Sequence, residues 1–318
     1  MDRRMTGTAL MLATFTTATP ALAETPALID PAWLADRLQH DDIAILDVRS
    51  PIDDGDATPF VEGHIPGAVD AGYPRHSWRS EQSGIIGKMP PVDALESLIG
   101  DFGVGNDDTV VIVPAGTGPT DFGSAARVYW TFQALGHDQV TILNGGYQAW
   151  LEAEFGVAKG SETVVSDDFE ADLQTEMITT SADVENAEER GVQLIDARPS
   201  EYYEGNEKHP AARVAGTIPG AESVPHQRFF SNAETWRFDS ERVDTALEGL
   251  SLSDGQRPVS FCNTGHWATT TWFALSEVRG IDNVGLYDGS MVEWTADESR
   301  PVAVAKQGLA RILDFLGG

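Results

Sequence analysis

The chain has 318 residues, enough for about two ordinary domains. Hydrophobic residues make up 41% and recur along its length, which supplies packed cores and excludes extended disorder. The formal net charge of -29, from 50 acidic residues against 21 Lys and Arg, repels phosphate backbones and argues against nucleic-acid binding; solubility accounts for it.

The N-terminus has the make-up of a secretory signal over residues 1–23. Arg3 and Arg4 supply positive charge, residues 9–15 a short apolar core, and residues 20–23 (PALA) a small-x-small cleavage site after Ala23. No later segment is apolar for long enough to span a bilayer. The expected product is an exported, soluble, periplasmic protein.

A domain is then expected over residues 24–155. A helical entry at residues 31–38 leads to residues 43–49 (IAILDVR), a short β-rich apolar run that predicts a buried strand ending in Asp47 and Arg49. Residues 63–68 (GHIPGA) contain a Pro-Gly turn and His64, and a loop with Arg75 and His76 follows. Residues 109–113 (TVVIV) predict a second buried strand. A loop (114–123) and a helix over about residues 124–135 come next, then a strand ending in LNGG at 143–146, and Trp150 as a core anchor. Residues 156–176 are acidic, polar and aperiodic, and are expected to be a linker.

Residues 177–318 repeat the plan. A helical entry at 181–188 precedes residues 192–198 (VQLIDAR), residues 216–221 (GTIPGA), a strand at 258–261, a loop, and a helix over about 268–278. The half closes with LYDG at 286–289 and Trp294. Strands alternating with helices predict two similar α/β domains, each with a mostly parallel sheet covered on both faces.

The two strand-end loops differ. The second reads Cys262-Asn263-Thr264-Gly265-His266-Trp267, and the first has Pro114 where the second has Cys262. Ligands in open α/β sheets sit at the carboxyl ends of strands. Cys262 lies between a strand and a helix start, where backbone N–H groups can converge on a thiolate and on an anion attached to it. Cys262 is also the chain's single cysteine, so it has no internal disulfide partner. A buried, inert strand-end thiol is the structural alternative.

The ordered repetition of LDVR/IDAR, GHIPGA/GTIPGA and NGG/YDG before Trp, with one loop cysteine in the second half, resembles the tandem rhodanese family. That family includes thiosulfate and 3-mercaptopyruvate sulfurtransferases. The resemblance implies two tandem rhodanese-like domains, the first noncatalytic, and transfer of a sulfane sulfur through a Cys262 persulfide. The partners it implies are a small anionic donor and a thiophilic acceptor such as cyanide or a thiol, with no cofactor. By analogy with the mercaptopyruvate enzymes, Asp47, His64 and Thr264 would form a proton relay beside Cys262, which favours a thiol donor. Asn263, Gly265, His266, Trp267, Arg213 and Arg75 would contact the donor, with His266 the one loop residue able to become cationic.

The loop departs from both branches: it lacks the basic residues of the thiosulfate enzymes and the Gly-Ser-Gly-Val run of the mercaptopyruvate enzymes. The family's Arg after the second-domain strand is replaced near Tyr202. A rhodanese-like phosphatase would need an Arg where Ala268, Thr269 and Thr270 stand. A zinc site would need more ligands than Cys262 and His266. A noncatalytic persulfide carrier or thiol-binding module is the remaining alternative, and only turnover separates it from an enzyme.

Overall fold

The computed structural model describes residues 25–50, 59–73, 75–231, 236–253 and 255–304. The segment read as an export signal lies outside the described residues. The first half is a five-stranded sheet in the order β1 (Leu28–Ile29), β7 (Val140–Leu143), β6 (Thr109–Val113), β2 (Ile43–Asp47) and β3 (Ala68–Asp70). Every pairing in it is parallel. Its helices are α1 (Pro31–Ala35), α2 (Val92–Asp101), α3 (Pro119–Ala134) and α4 (Gly146–Glu152). A small antiparallel hairpin, β4 (Ser80–Gln82) and β5 (Ile85–Lys88), stands apart from the sheet.

The second half has four parallel strands in the order β11 (Gly285–Leu286), β10 (Arg257–Phe261), β8 (Val192–Asp196) and β9 (Glu222–Ser223). Its helices are α5 (Ser181–Glu185), α6 (Ser200–Tyr203), α7 (Val243–Ala246), α8 (Trp267–Phe273) and α9 (Ser290–Ala296). A bridge from Ile178 to Leu286 stands where β1 pairs with β7 in the first half. α8 runs on into a π-helical turn over Ala274–Val278.

The sequence repeat is a structural repeat down to individual hydrogen bonds. The Asp and Arg that end β2 and β8 form buried ion pairs, Asp47–Arg49 and Asp196–Arg198, each 2.6 Å. In each pair the arginine also donates to the carbonyl that opens the Pro-Gly turn, Gly63 or Gly216, at 2.8 Å. A buried arginine must find acceptors for its several N–H groups, and these contacts fix the turn to the strand end. The anchors Trp150 and Trp294 are both buried, and their indole N–H groups donate to Gly156 and Pro301.

Two core clusters each serve one domain and a third spans both. Where α3 meets α8, Phe122 and Tyr129 of the first half pack edge-on against Phe273 of the second, at 5.7 and 5.1 Å between ring centres. Burying such rings is worth about 1.5–3 kcal/mol each, so the domains are joined by a true core. The interdomain segment lies extended on the first domain. Phe169 is buried there, and the amides of Asp167, Asp172 and Gln174 donate to Gly100, Leu135 and Ala134. Among the described residues no helix is long and apolar enough to cross a membrane.

Candidate active site

The strand-end loops of β6 and β10 lie at the domain contact, and the backbone puts them in register. The Tyr147 amide donates to Pro114 O as the Met291 amide does to Cys262 O, at 2.8 and 3.1 Å. The next amides, Gln148 and Val292, donate to Ala115 O and Asn263 O. Pro114 is therefore the positional counterpart of Cys262, and Gly146 that of Ser290.

The loops satisfy their amides differently. In the first, the Asp121 carboxylate accepts from Ala115, Gly116 and Thr117, at 3.1, 2.7 and 3.4 Å. An internal anion fills that cradle. In the second, the Ser290 hydroxyl accepts from the amides of Cys262 and Gly265, at 3.0 and 3.1 Å, and donates to Tyr287 O. Ser290 holds this bridge with its backbone in the left-handed region (φ 51°). No partner among the described residues is found for the amides of Asn263, Thr264, His266 and Trp267. Backbone amides need acceptors, from protein or solvent, and no carboxylate plays the part of Asp121 in this loop.

Gly265 turns the loop at φ +70°; a Cβ there would lie 2.6 Å from Asp288 O. Its carbonyl accepts from Arg127, a wholly buried residue of α3 that also donates to Gly87 O. Burial pulls the Arg127 guanidinium below its usual value, against Asp288, Tyr73 and Cys262, which favour the cation. An arginine guanidinium is effectively always protonated, so the first domain places a cation against the Gly265 carbonyl of the Cys262 loop. Burial likewise holds the Tyr73 hydroxyl above its ordinary value, and the Cys262 charge adds to the shift. Cys262 itself is 1% exposed, while Thr264 and Trp267 are half-buried and form the loop's open side.

A model of the rhodanese-like domain matches residues 30–153 and 180–297. The chain belongs to the rhodanese family. It is 32% identical to human 3-mercaptopyruvate sulfurtransferase over 78% of this chain and 82% of that protein. It is 26% identical to the sulfur carrier protein TtuD of Thermus thermophilus over 90% of this chain and 99% of that protein. Among solved structures, SseA of Escherichia coli, a 3-mercaptopyruvate sulfurtransferase, matches with a TM-score of 0.71 at 25% identity. That match covers 84% of this chain and 99% of the other.

Within this rhodanese frame, several expected site residues do other work. His64 does not join a relay at Cys262. Its ring is fully buried, stacked on Phe60, with Nδ1 2.9 Å from Phe60 O and Nε2 3.1 Å from Glu162. The Asp47 carboxylate is taken by Arg49, so the Asp47–His64–Thr264 relay is not formed; the Thr264 hydroxyl faces Arg79 instead, at 3.3 Å. Arg75 pairs with Asp70 and Arg213 with Glu298, both at exposed positions, and neither has a contact with the Cys262 loop. Asn263 turns its amide oxygen to Arg198, at 3.5 Å.

His266 is a neutral wedge between the domains and does not serve as a cation. Its Nε2 lies 2.8 Å from Thr120 O, which can only accept, so Nε2 carries the proton and Nδ1 accepts from the Tyr73 hydroxyl at 3.2 Å. Burial first, then the charge of Arg79, pulls its pKa to about 3. Trp267 donates its indole N–H to the Thr120 hydroxyl and stacks on His226 at 4.9 Å between ring centres. Burial pulls His226 to about 4.

Arg79, Arg127, Tyr73 and Ser290 were not singled out by sequence. Three belong to the domain without the cysteine, and Ser290 directly follows the YDG turn, where the residue after the motif was the available signal. Among the described residues no group of three or more His, Cys, Asp or Glu side chains is placed to hold a metal ion.

The two depressed histidines make a pH prediction. Their folded-state values, about 3 and about 4, lie below the ordinary 6.5, so the unfolded chain binds more protons between these limits. The stability they contribute is complete above about pH 6.5 and is lost as pH falls toward 3 to 4. Each ring should add a slope approaching about 1.4 kcal/mol per pH unit in that window. Unfolding midpoints from pH 4 to 7 should be less pH-dependent in His226→Gln and in His266→Gln than in the unsubstituted protein. Equal slopes would show that these rings are not held neutral.

Proposed function

We propose that this protein is a sulfurtransferase that carries a sulfane sulfur on Cys262. The observation that supports this reading most directly is the contrast between the two strand-end loops. The cradle after β6 is filled by the Asp121 carboxylate, and the equivalent cradle after β10 has a cysteine at its base and no acid. A persulfide anion is the group that fits there.

The reaction runs in two displacements. The Cys262 thiolate attacks the transferable sulfur of the donor. The bond between that sulfur and the rest of the donor breaks, and its electron pair leaves with sulfite or with the enolate of pyruvate, which then takes a proton. The Cys262 persulfide that results has its charge on the outer sulfur, within reach of loop amides and beside Arg127. A thiolate or cyanide next attacks the outer sulfur, and Cys262 leaves as thiolate. Hydrogen bonds to a charged group contribute about 1.5–3 kcal/mol each. The net charge of -29 opposes the approach of an anionic donor, but its field is screened beyond about 8 Å at physiological salt. Local donors therefore outweigh it. The proton relay that favoured a thiol donor is not formed, so the donor class rests on charge: a small anion with a transferable sulfur. Relatives are named for thiosulfate as well as for 3-mercaptopyruvate.

Treating the full chain with thiosulfate or 3-mercaptopyruvate should add one sulfur to its mass, and adding cyanide should give many turnovers per chain. Cys262→Ser should abolish both, while His64→Gln should keep loading and turnover. Loading without turnover would assign the protein to sulfur carriage, and full activity in Cys262→Ser would end the proposal.

We also propose that the protein acts outside the cytoplasm, in the periplasm, on the strength of the charged, apolar and small-residue order of residues 1–23. N-terminal sequencing of the protein recovered from its producing cells should begin at Glu24; recovery with Met1 in place would contradict export.

A further inference from the structure

The first domain lends the site a second arginine that the reaction above does not use. Arg79 directly follows Trp78, a fully buried residue whose indole N–H donates to Ala71 O, so its backbone is anchored in the first domain. After it comes the β4–β5 hairpin, turned by Ser83 and Gly84, both at positive φ. The hairpin is docked on the second domain. Gly87 approaches the Cys262 loop so closely that a Cβ would lie 2.5 Å from Thr264 O. Lys88 reaches Asp288 at 2.6 Å and Glu293 at 3.1 Å, and the Met89 amide donates to Asp288 at 2.7 Å.

This docking lays the Arg79 guanidinium over Thr264. Its Nη1 is 3.3 Å from both the carbonyl and the hydroxyl of Thr264, and the group sits 5.2 Å from the centre of the Tyr73 ring. Those hydrogen bonds are at the long edge of the useful range, and both acceptors are neutral. Among the described residues Arg79 forms no ion pair, in a chain with 50 acidic residues. The other arginines at the loop are committed: Arg127 to Gly265 O, Gly87 O and Asp288, and Arg198 to Asp196 and Gly216 O. Charge-assisted hydrogen bonds to an anion are shorter and about twice as strong as neutral ones, so an anion above Thr264 would draw the guanidinium from its present contacts.

The charge of Arg79 is also felt at a histidine of the other domain. His209 is half-buried and accepts the Ala211 amide on Nδ1. Burial, then the charges of Arg79 and Lys208, hold its basicity below the ordinary value. Positive charges lower the basicity of His209, and an anion bound near them would offset that effect.

We propose that Arg79, delivered across the domain contact by the docked hairpin, grips the anionic end of the sulfur donor above Thr264 and takes the substrate-binding part expected of Arg213 and Arg75. The inference rests on the sulfur-transfer reading for the identity of the anion as a donor. The geometry splits the donor between domains: its sulfur goes to Cys262 of the second, its charge to Arg79 of the first. Arg79 is thereby a specificity-determining residue that selects donors carrying a carboxylate or sulfonate.

The test measures binding apart from turnover. Pyruvate and sulfite are titrated calorimetrically into the full chain carrying Cys262→Ser, alone and combined with Arg79→Gln or Arg79→Lys. Arg79→Gln keeps a donor for Thr264 but removes the charge, and should weaken anion binding by about tenfold or more, equivalent to about 1.4 kcal/mol. Arg79→Lys should recover part of the loss. In the chain with Cys262 intact, Arg79→Gln should raise KM for an anionic donor far more than it lowers kcat. Equal anion affinity with and without the Arg79 charge, or no measurable anion binding by the Cys262→Ser chain, overturns the proposal. If no donor loads Cys262 in the unsubstituted protein, the sulfur-transfer reading fails, while the titration still decides whether Arg79 makes an anion site.

Discussion

Backbone amides at the end of a parallel strand cannot all be satisfied by the sheet, and the structure is organised around what accepts them. After β6 the acceptor is a carboxylate of the protein itself, Asp121, and the loop is chemically closed. After β10 the Ser290 hydroxyl takes two amides, Cys262 and Gly265, and fixes the loop without neutralising it. One backbone arrangement thus yields one loop closed by the protein's own acid and one whose remaining amides are left for another acceptor. The difference lies in a few side chains: Pro114 against Cys262, Gly146 against Ser290, and an acid in one loop only.

The second domain carries Cys262 but does not build its surroundings alone. Arg127 and Tyr73 come from the first domain, and the aromatic contact of α3 with α8 holds them in place. His266 stands between the domains with both ring nitrogens occupied, so its neutral state belongs to the packing as much as to the chemistry. The Lys88–Asp288 pair adds a charged tie on the hairpin side. Such a pair is stabilising only where its desolvation is offset by further hydrogen bonds; Asp288 has one from the Met89 amide.

Much of this was legible in the sequence because it depends on local periodicity repeated twice. The strand ends at Asp47 and Asp196, the Pro-Gly turns, the anchors Trp150 and Trp294, and the placement of Cys262 after a buried strand all follow from short-range patterns. The helix boundaries moved: α3 begins at Pro119, earlier than the apolar pattern implied, because Pro at the first helical turn opens a helix. The relay failed for a different reason. Asp47 and His64 were assigned by analogy, but a buried Asp beside a buried Arg is claimed by that Arg, and the His64 ring is held between the Phe60 carbonyl and Glu162 of the interdomain segment. Arg75 and Arg79 are four residues apart in one loop, and nothing in their local sequence tells which reaches the other domain. The Ser83-Gly84 turn was a local sign of the hairpin, yet its docking on Thr264 is a tertiary fact.

The central claim is that the amides of the Cys262 loop hold the outer sulfur of a persulfide where Asp121 holds their counterparts. A crystal structure of the donor-treated full chain tests it directly. The account predicts one extra sulfur on Cys262, at about 3.2–3.6 Å from at least two of the amides of Asn263, Thr264, His266 and Trp267, lengths suited to an N–H donor and the larger sulfur acceptor. An outer sulfur directed away from those amides, or a loaded chain with Cys262 unmodified, would contradict it.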